Sequence, residues 1–435
     1  MRAYLARIGR APRAMKLFIV YTLFVNIGFG VFQLIYNLYL VRLGFREDFI
    51  GTLTAINTIV IAVAALVFGR LINRFGPWRC ILIGTVLTVI ALLGQSLITY
   101  LPVLVAFSAL GGIGQAGLIV PNMPFIIENS SDEERSDLSA LTFSIMSLSM
   151  TLGALVGGRV PDLLALFGGT FAAESLATYR TTLLVGVALA GVALLPLLLI
   201  TERRSAIVMA AGRLVDGQMI PRRVRNDMIV FVTVGALFSA SAAAIVPFYN
   251  VYLKDLGSSA STIGTIFAIT GVFGAILGIC SPMLARRYGV LNVAAGARFI
   301  GVPLLIALLF VPGLQLAFAA YMVRGVAMAM AWPLDSNLIA EVLPSRQRAI
   351  VFSYRSASWN CSWAIASFAV GKLIVLTGSY NVSFLTSAVF ACLSIGLFTV
   401  YFTRHPHIAA ERAARATLAV ARNAAPATGT TRRIG

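Results

Sequence analysis

The sequence predicts an all-α polytopic membrane protein: twelve transmembrane helices in two pseudo-symmetric six-helix halves. Three observations carry that expectation. The 435 residues are 59% hydrophobic and only 11% charged, with mean hydropathy +0.90. Twelve separable apolar stretches are long enough to cross a bilayer. The two halves match each other at a constant offset of 213 residues. A soluble domain carries about 25% charged residues, so too little charge is present here to cover a soluble surface. Disorder is excluded as well, because disordered chains are poor in apolar residues. The 34 basic against 16 acidic residues leave a net charge of +18. In a soluble protein that excess suggests nucleic acid; in a hydrophobic chain it points to basic cytoplasmic loops.

A span takes about 20 mostly apolar residues. By that measure the spans run near 17–41, 49–69, 79–99, 101–127, 138–158, 181–200, 228–252, 261–284, 290–311, 313–340, 349–371 and 382–402. Before them lies a basic arm over 1–16, with Arg2, Arg7, Arg10, Arg13 and Lys16. The apolar run from Leu17 to Leu40 is too long for a signal-peptide core and reads as the first span. Residues 17–200 form the N-terminal half and 228–403 the C-terminal half. Between them, 201–227 is a basic linker containing Arg203, Arg204, Arg213, Arg222, Arg223 and Arg225. A tail over 404–435 is Ala/Arg-rich, then Thr/Gly-rich, and reads as a partly helical, partly disordered cytoplasmic end. With the N-terminus inside, the arm, the even-numbered loops and the tail hold 25 basic residues and the odd-numbered loops hold 6. By the positive-inside rule both termini are cytoplasmic. Such a chain belongs in a bacterial inner membrane, its basic loops held against the anionic cytoplasmic leaflet.

The repeat is clearest where Tyr36-Asn-Leu-Tyr-Leu-Val-Arg-Leu-Gly44 aligns with Tyr249-Asn-Val-Tyr-Leu-Lys-Asp-Leu-Gly257. Over 36–56 it gives 11 identities in 21 positions, including Ile50-Gly-Thr52 with Ile263-Gly-Thr265. The same offset pairs Arg74 with Arg287, Gly76 with Gly289, Glu128 with Glu341, Arg135 with Arg348 and Gly158 with Gly371. Repeated Asn, Gly, Glu and Arg in one register are not a product of shared hydrophobicity. An even number of spans per copy makes these parallel repeats, with a substrate site expected between them near the midplane.

Gly69-Arg-Leu-Ile-Asn-Arg-Phe-Gly-Pro-Trp-Arg79, between spans 2 and 3, resembles the G-x-L-x-D-R-x-G-x-R signature of the major facilitator superfamily (MFS). Its second-half copy, Pro282-Met-Leu-Ala-Arg-Arg-Tyr-Gly289, is degenerate. The resemblance covers about 15–403 and implies the MFS fold, transport by alternating access, and a loop that latches the two halves at the cytoplasmic side through Gly69, Asn73, Arg74, Gly76, Arg79, Arg287 and Gly289. The acidic position of the signature is Asn73 here, which can hydrogen-bond but cannot form a charge pair. Gly69 and Gly76 read as sites of close approach and a tight turn, and Arg70, Arg74 and Arg79 as leaflet anchors. The twin pairs Glu128/Arg135 and Glu341/Arg348 read as gating salt bridges at the cytoplasmic surface, against the alternative of solvated pairs worth little. On span 5, Gly153-Ala-Leu-Val-Gly-Gly158 resembles the G-P-x-x-G-G element of proton-coupled drug antiporters, with Ala154 in place of proline. Gly153, Gly157 and Gly158 are also close-packing positions in their own right.

Polar residues inside a span are costly and face the bundle interior. On span 1, Asn26, Gln33 and Asn37 share one face; on span 4, Gln115 and Asn122 do so; on span 10, Arg324, Met328 and Asp335 align; span 7 offers Ser239, Tyr249 and Asn250. The resemblance makes these four the cavity helices, in agreement with the polar faces. Trp359 is placed to stack a flat substrate. Asp335, the one acid well inside a span, is the candidate proton carrier, with Arg355 at similar depth to pair with it, whereas Arg298 reads as snorkelling from span 9. Three intramembrane arginines against one aspartate favour an anionic or polar substrate over a cation. The Met146/Met150 and Met328/Met330 groups read as adaptable packing.

The four cysteines are scattered and both histidines follow the last span, so neither a metal site nor a cofactor is expected. No G-x-x-x-x-G-K-[ST] loop supports ATP driving. No cluster of His, Asp, Ser or Cys near one interface supports an enzyme. The expectation is therefore a secondary transporter of a small organic solute, exporting it by proton coupling, with an uptake carrier or facilitator for an organic anion or sugar-like solute as the alternative and a membrane-embedded enzyme as a remote one. Neither nucleic acid nor an obligate protein partner is called for.

Overall fold

The computed structural model describes residues 12–131, 134–172, 174–200 and 221–409. The basic arm up to Ala11, most of the linker, Asp132, Glu133 and Ala173, and the tail from Ala410 lie outside the described residues. Among the described residues, twelve helical units are long and apolar enough to cross a membrane. They comprise α1 (Arg13–Arg42), α2 (Glu47–Phe75), α3 (Pro77–Leu97), α4 (Leu101–Ile119) continued by α5 (Asn122–Glu128), α6 (Arg135–Ala165), and α7 (Leu176–Val192) continued by α8 (Leu194–Leu198). The second half has α9 (Arg222–Ala243) continued by α10 (Tyr249–Asp255), α11 (Ala260–Tyr288), α12 (Val290–Phe299) continued by α13 (Val302–Phe310), α14 (Leu314–Val342), α15 (Ser345–Thr377) and α16 (Asn381–Thr403).

Most helices overrun the apolar stretches by several residues, because a helix continues satisfying its own backbone after leaving the bilayer. The internal breaks fall next to prolines. Pro121 separates α4 from α5, Pro247 ends the irregular stretch before α10, and Pro303 stands at the second position of α13. Proline lacks the N–H a continuing helix needs and its ring clashes with the preceding turn. Gly76 and Gly289 turn the chain into the next helix with φ of 81° and 97°, a conformation glycine adopts without penalty. Gly69 is exposed, and a Cβ there would meet nothing within 4 Å, so close helix approach is not its role, contrary to the sequence expectation.

The two halves meet along two long seams, α2 against α15 and α6 against α11. Glycines permit them, and the repeat makes them equivalent. A Cβ on Gly51 would run into the Ser367 carbonyl and Gly371, and one on Gly264 would lie 2.5 Å from the Ala154 carbonyl and 3.1 Å from Gly158 Cα. Each partner stands 213 residues from its counterpart. Gly153 and Gly157 serve a different contact, within the N-terminal half, where α6 crosses α1 at Ile27, Gly30 and Val31.

Burial is uneven along the molecule. At the end away from the chain termini, one apolar core joins both halves, including Leu34, Leu38 and Ile50 from the first and Ile245, Phe248 and Ile263 from the second. At the terminal end the cores are separate: Phe18, Tyr21, Phe125 and Leu197 in the N-terminal half, and Phe231, Leu338, Phe398 and Phe402 in the C-terminal half. The halves are therefore packed together at the far end and parted toward the termini.

Candidate functional site

A cavity of about 350 Å³ lies between the halves. Most of its wall comes from the N-terminal half. Helix α1 contributes Phe29, Phe32, Gln33, Tyr36 and Asn37; α2 contributes Thr54 and Asn57; α3 contributes Thr88 and Gln95; α4 contributes Ser108, Gly111 and Gln115. The C-terminal half adds Val246, Pro247, Asn250, Phe267, Tyr321 and Trp363. No Asp, Glu, Lys, Arg or His is among the lining residues.

Six carboxamides line this space and most are oriented by backbone carbonyls. A carbonyl only accepts, so the amide NH2 must face it and the amide oxygen is left for other partners. The Asn57 amide donates to the Ser108 carbonyl at 3.0 Å and the Gln95 amide to the Phe107 carbonyl at 3.2 Å. The Gln115 amide donates to Asn57 Oδ1 at 3.4 Å. Gln33 has no hydrogen-bond partner among the described residues, and the buried hydroxyls of Tyr36 and Thr88 have none either. Unpaired buried hydroxyls cost free energy unless a water or ligand meets them.

Asn37 and Asn250 show the repeat acting as structure. The Asn37 amide donates to the Pro247 carbonyl at 2.6 Å and the Asn250 amide to the Leu34 carbonyl at 2.9 Å. Donors and acceptors are both related by the 213-residue offset, so the two bonds form a reciprocal clasp across the interface. Further out, Tyr380 donates to Glu47 across the same interface at 2.6 Å and lies 3.1 Å from Asp255, while Lys254 of the second half pairs with Glu174 of the first. Asp255 is exposed as a residue, but partial desolvation of its carboxyl at the interface raises it above its ordinary range; the Tyr380 hydrogen bond opposes that and the nearby Glu47 charge adds to it.

Toward the terminal end a second, wider space of about 580 Å³ opens between α6, α11 and α14, lined by Phe143, Ser147, Thr270, Gly271 and Trp332. Phe267 and Tyr321 line both spaces, and their rings stack at 4.4 Å with planes 8° apart. They form a partition between the cavity and the vestibule.

Several residues expected at the cavity lie elsewhere. Asn26 donates to Thr22 of its own helix and does not line the cavity. Asn122 is carried off the face of Gln115 by the break at Pro121. Tyr249 is buried against Tyr252, Tyr321 and Phe384, with its hydroxyl on the Ala317 carbonyl, because the irregular stretch before α10 turns it into the core. Trp359 stacks on Trp363 and meets Trp332 edge-on, and it is Trp363, one turn further along, that reaches the cavity. Arg324 points to the junction of α12 and α13 beside Gly301. None of the three intramembrane arginines lies on the wall of this cavity. Asn57, Thr88, Gln95 and Ser108 are cavity residues that the sequence reading does not single out, although the rule that polar residues in spans face inward applies to spans 2 and 3 as well as to span 1.

The charged residues instead form a cluster within the C-terminal half. Asp335 accepts from Arg355, as its depth predicts, and also from Arg298. Arg298 does not snorkel; it is 4% exposed, with its guanidinium 4.7 Å from the Phe398 ring centroid. A nearby carboxylate outcompetes a distant interface. At the terminal end, Arg74 lies over Phe75, and Asn73 is exposed without a partner among the described residues. Glu341 faces His407 at 3.2 Å and Arg348 donates to the Leu343 carbonyl, so Glu341 and Arg348 are not paired with each other in this conformation. Among the described residues no group of three or more His, Cys, Asp or Glu is placed to hold a metal.

A sequence profile described as Major Facilitator Superfamily matches residues 17–323 and 229–430. The chain belongs to the major facilitator superfamily. Its family and fold are those of a membrane transporter of small molecules and not of an enzyme. Among solved structures, the MFS chain resembles a point mutant of the nucleoside transporter NupG, with TM-score 0.71 and 14% identity over 89% of this chain and 100% of the other. It also resembles an inward-facing, unoccupied bacterial homologue of the human lysosomal transporter Spinster, at TM-score 0.68 and 15% identity over 89% and 97%. A D-xylose–proton symporter matches at TM-score 0.67 and 18% identity over 88% and 96%. A curated relative, a multi-drug resistance efflux pump PmrA homolog from Lactococcus lactis subsp. lactis (strain IL1403), is 22% identical over 286 residues, spanning 63% of this chain and 66% of that protein.

Proposed function

We propose that this MFS transporter exports a small, electrically neutral solute bearing a flat or apolar face and several hydrogen-bonding groups, with export linked to proton entry. The observation that carries the substrate class is the wall of the 350 Å³ cavity, which combines six carboxamides and several hydroxyls with the rings of Phe29, Phe32, Phe267, Tyr321 and Trp363 and has no fully charged side chain. Carboxamides and hydroxyls exchange hydrogen bonds with N–H and O–H groups, and rings take up an apolar face. A cation or anion entering this cavity would lose its hydration without a counter-charge, a cost of several kcal/mol. The parted terminal end, together with the basic arm, linker and tail, supports a cytoplasm-facing opening and cytoplasmic termini. The efflux direction rests on the glycine element of α6 and on the distant PmrA-type relative.

Asp335 is the proposed coupling residue, with Arg355 and Arg298 as its partners. Both of its oxygens are taken by guanidinium groups, so coupling through it requires that the cluster loosen in the opposite conformation and free the carboxylate to take a proton. The proposed latch around Asn73, Arg74, Arg79, Glu128, Arg135 and Arg287 would close the terminal end in that conformation.

The test is a transport screen in proteoliposomes over neutral, anionic and cationic compounds of similar size, with and without a pH gradient. Gradient-dependent movement of neutral ring-bearing compounds supports the reading. Transport confined to permanently charged compounds overturns the substrate class, and gradient-independent movement overturns the coupling. Asp335→Asn is expected to lose gradient-driven transport while retaining solute exchange at equal pH.

A further inference from the structure

We propose that the C-terminal half holds a small monatomic anion of chloride size at the break in its third spanning helix, a site separate from the central cavity and independent of which solute is carried. The residues concerned carry more positive than negative charge. Arg298, Arg324 and Arg355 face a single intramembrane carboxylate, Asp335, which is fully engaged by Arg298 and Arg355. Arg324 has no carboxylate or hydrogen-bond partner among the described residues. An uncompensated guanidinium at membrane depth is costly even by insertion scales.

Next to Arg324 the helix is interrupted. Helix α12 ends at Phe299 and α13 begins at Val302, near the middle of a span running from Val290 to Phe310. The backbone bonds that bracket the break are Ile300 N–H to the Gly296 carbonyl and Leu305 N–H to the Gly301 carbonyl. The amides of Gly301 and Val302 lie between them, and Pro303 has none to offer. The start of α13 thus presents N–H groups and the positive end of a helix dipole inside the protein, an arrangement that attracts anions. In broken helices of transporters such ends face anionic groups.

A cavity of about 20 Å³ sits at this point, lined by Gly301, which precedes α13, by Val302 and Leu305 of α13, and by Arg298, Arg324 and Ala327. A water occupies roughly 10–15 Å³ on this measure, so the space suits one water-sized or slightly larger ion and excludes any polyatomic organic anion. The observation independent of the helix end is Arg298 itself. It is 4% exposed and lines the cavity, and its Nε is buried without a hydrogen-bond partner, while its terminal nitrogens are taken by Asp335 and the Ala294 carbonyl. Two guanidinium groups and a helix N-terminus converge on this cavity and form an anion site; Ser241, the one other polar side chain on its wall, is engaged with Ser387. The four side chains together carry a charge of +2, which one halide halves.

The experiment uses the full-length chain, purified in detergent, with NaCl or NaBr compared against sodium gluconate at equal ionic strength. The expected result is a saturable rise in unfolding temperature with chloride and bromide and none with gluconate, which is too large to enter. Ala327→Leu fills the cavity without changing charge, and Arg324→Gln removes one guanidinium; each is expected to abolish the halide-specific rise. An equal response to gluconate, or an undiminished bromide response in Ala327→Leu, overturns the proposal. Should both variants fail to fold, anomalous diffraction from bromide-grown crystals of the unaltered protein decides. A bromide peak between Arg298, Arg324 and Val302 supports the site, and a water there without bromide overturns it.

Discussion

Removing the carboxylate of Asp335 is expected to destabilise the protein more than removing either arginine that binds it. Asp335 accepts from both Arg298 and Arg355, each buried. The guanidinium of Arg298 also lies 5.3 Å from the Phe238 ring centroid, and that of Arg355 lies 5.4 Å from Trp332. In Asp335→Ala these aromatic faces remain, but two like charges converge on a position vacated by their only counter-charge. Breaking a buried pair by deleting one partner costs about 3–5 kcal/mol, chiefly because the other charge stays buried and unpaired. Arg355→Met leaves Arg298 and Asp335 as a neutral pair and removes one charge-assisted hydrogen bond, a loss of about 1.5–3 kcal/mol. Arg298→Met does the same in mirror image. Asp335→Ala is therefore expected to cost roughly twice what either arginine variant costs. Reversible denaturant unfolding in detergent, followed by tryptophan fluorescence, measures the three losses, and Trp332 and Trp359 report from the cluster's surroundings. An Asp335→Ala loss within about 1 kcal/mol of the arginine variants would refute the reasoning, because the carboxylate would then not be the shared keystone.

Three further outcomes are expected. Gln115→Ala and Gln33→Ala each weaken binding of a transported neutral solute by about tenfold, the equivalent of one hydrogen bond near the upper end of its net value, as measured by equilibrium binding to the purified protein; unchanged affinity in both would remove the carboxamides from the site. Gly158→Val places side-chain atoms where a Cβ alone would lie 2.9 Å from the Ala260 carbonyl, so it is expected to prise open the far-end seam and lengthen the spin-label distance between Leu166→Cys and Leu376→Cys in a background without native cysteines; an unaltered distance would show that the seam does not depend on that glycine. The same distance is expected to lengthen as pH rises. Partial desolvation raises the Asp255 carboxyl in the closed arrangement, so the closed state binds that proton more tightly than the open one; its stabilisation is complete below the carboxyl's ordinary value and is lost as pH climbs through the raised one. Glu47, Tyr380 and Lys254 are the other titratable groups at this point, and Glu47→Gln is expected to reduce the shift by removing the opposing carboxylate. A distance that shortens with rising pH would contradict this sign.

Membrane class, the number of spans, the six-plus-six division and the family are all legible in the sequence alone, because each depends on quantities local to the chain: the length of apolar runs, and identity at a fixed offset. The 213-residue repeat goes further than topology, since the reciprocal Asn37 and Asn250 clasp and the paired glycine seams Gly51/Gly371 and Gly264/Gly158 join positions within the matched segments. Which polar side chains share the same space is settled by tertiary packing. Helical periodicity locates a face relative to its own helix, so it places Gln33, Asn37 and Gln115 well, but it fails beyond a proline break, and Asn122 and Tyr249 lie after such breaks. Periodicity also has no means of ranking partners for a buried charge. Arg298 reads as snorkelling because nothing along α12 marks Asp335, 37 residues away, as a neighbour. Intramembrane charge is legible as an inventory, three arginines and one aspartate. That Arg298 and Arg355 gather on Asp335 within the C-terminal half, leaving a cavity lined by carboxamides and rings, follows from helix packing, where the cost of burying a charge alone drives these two to the counter-charge the fold brings within reach.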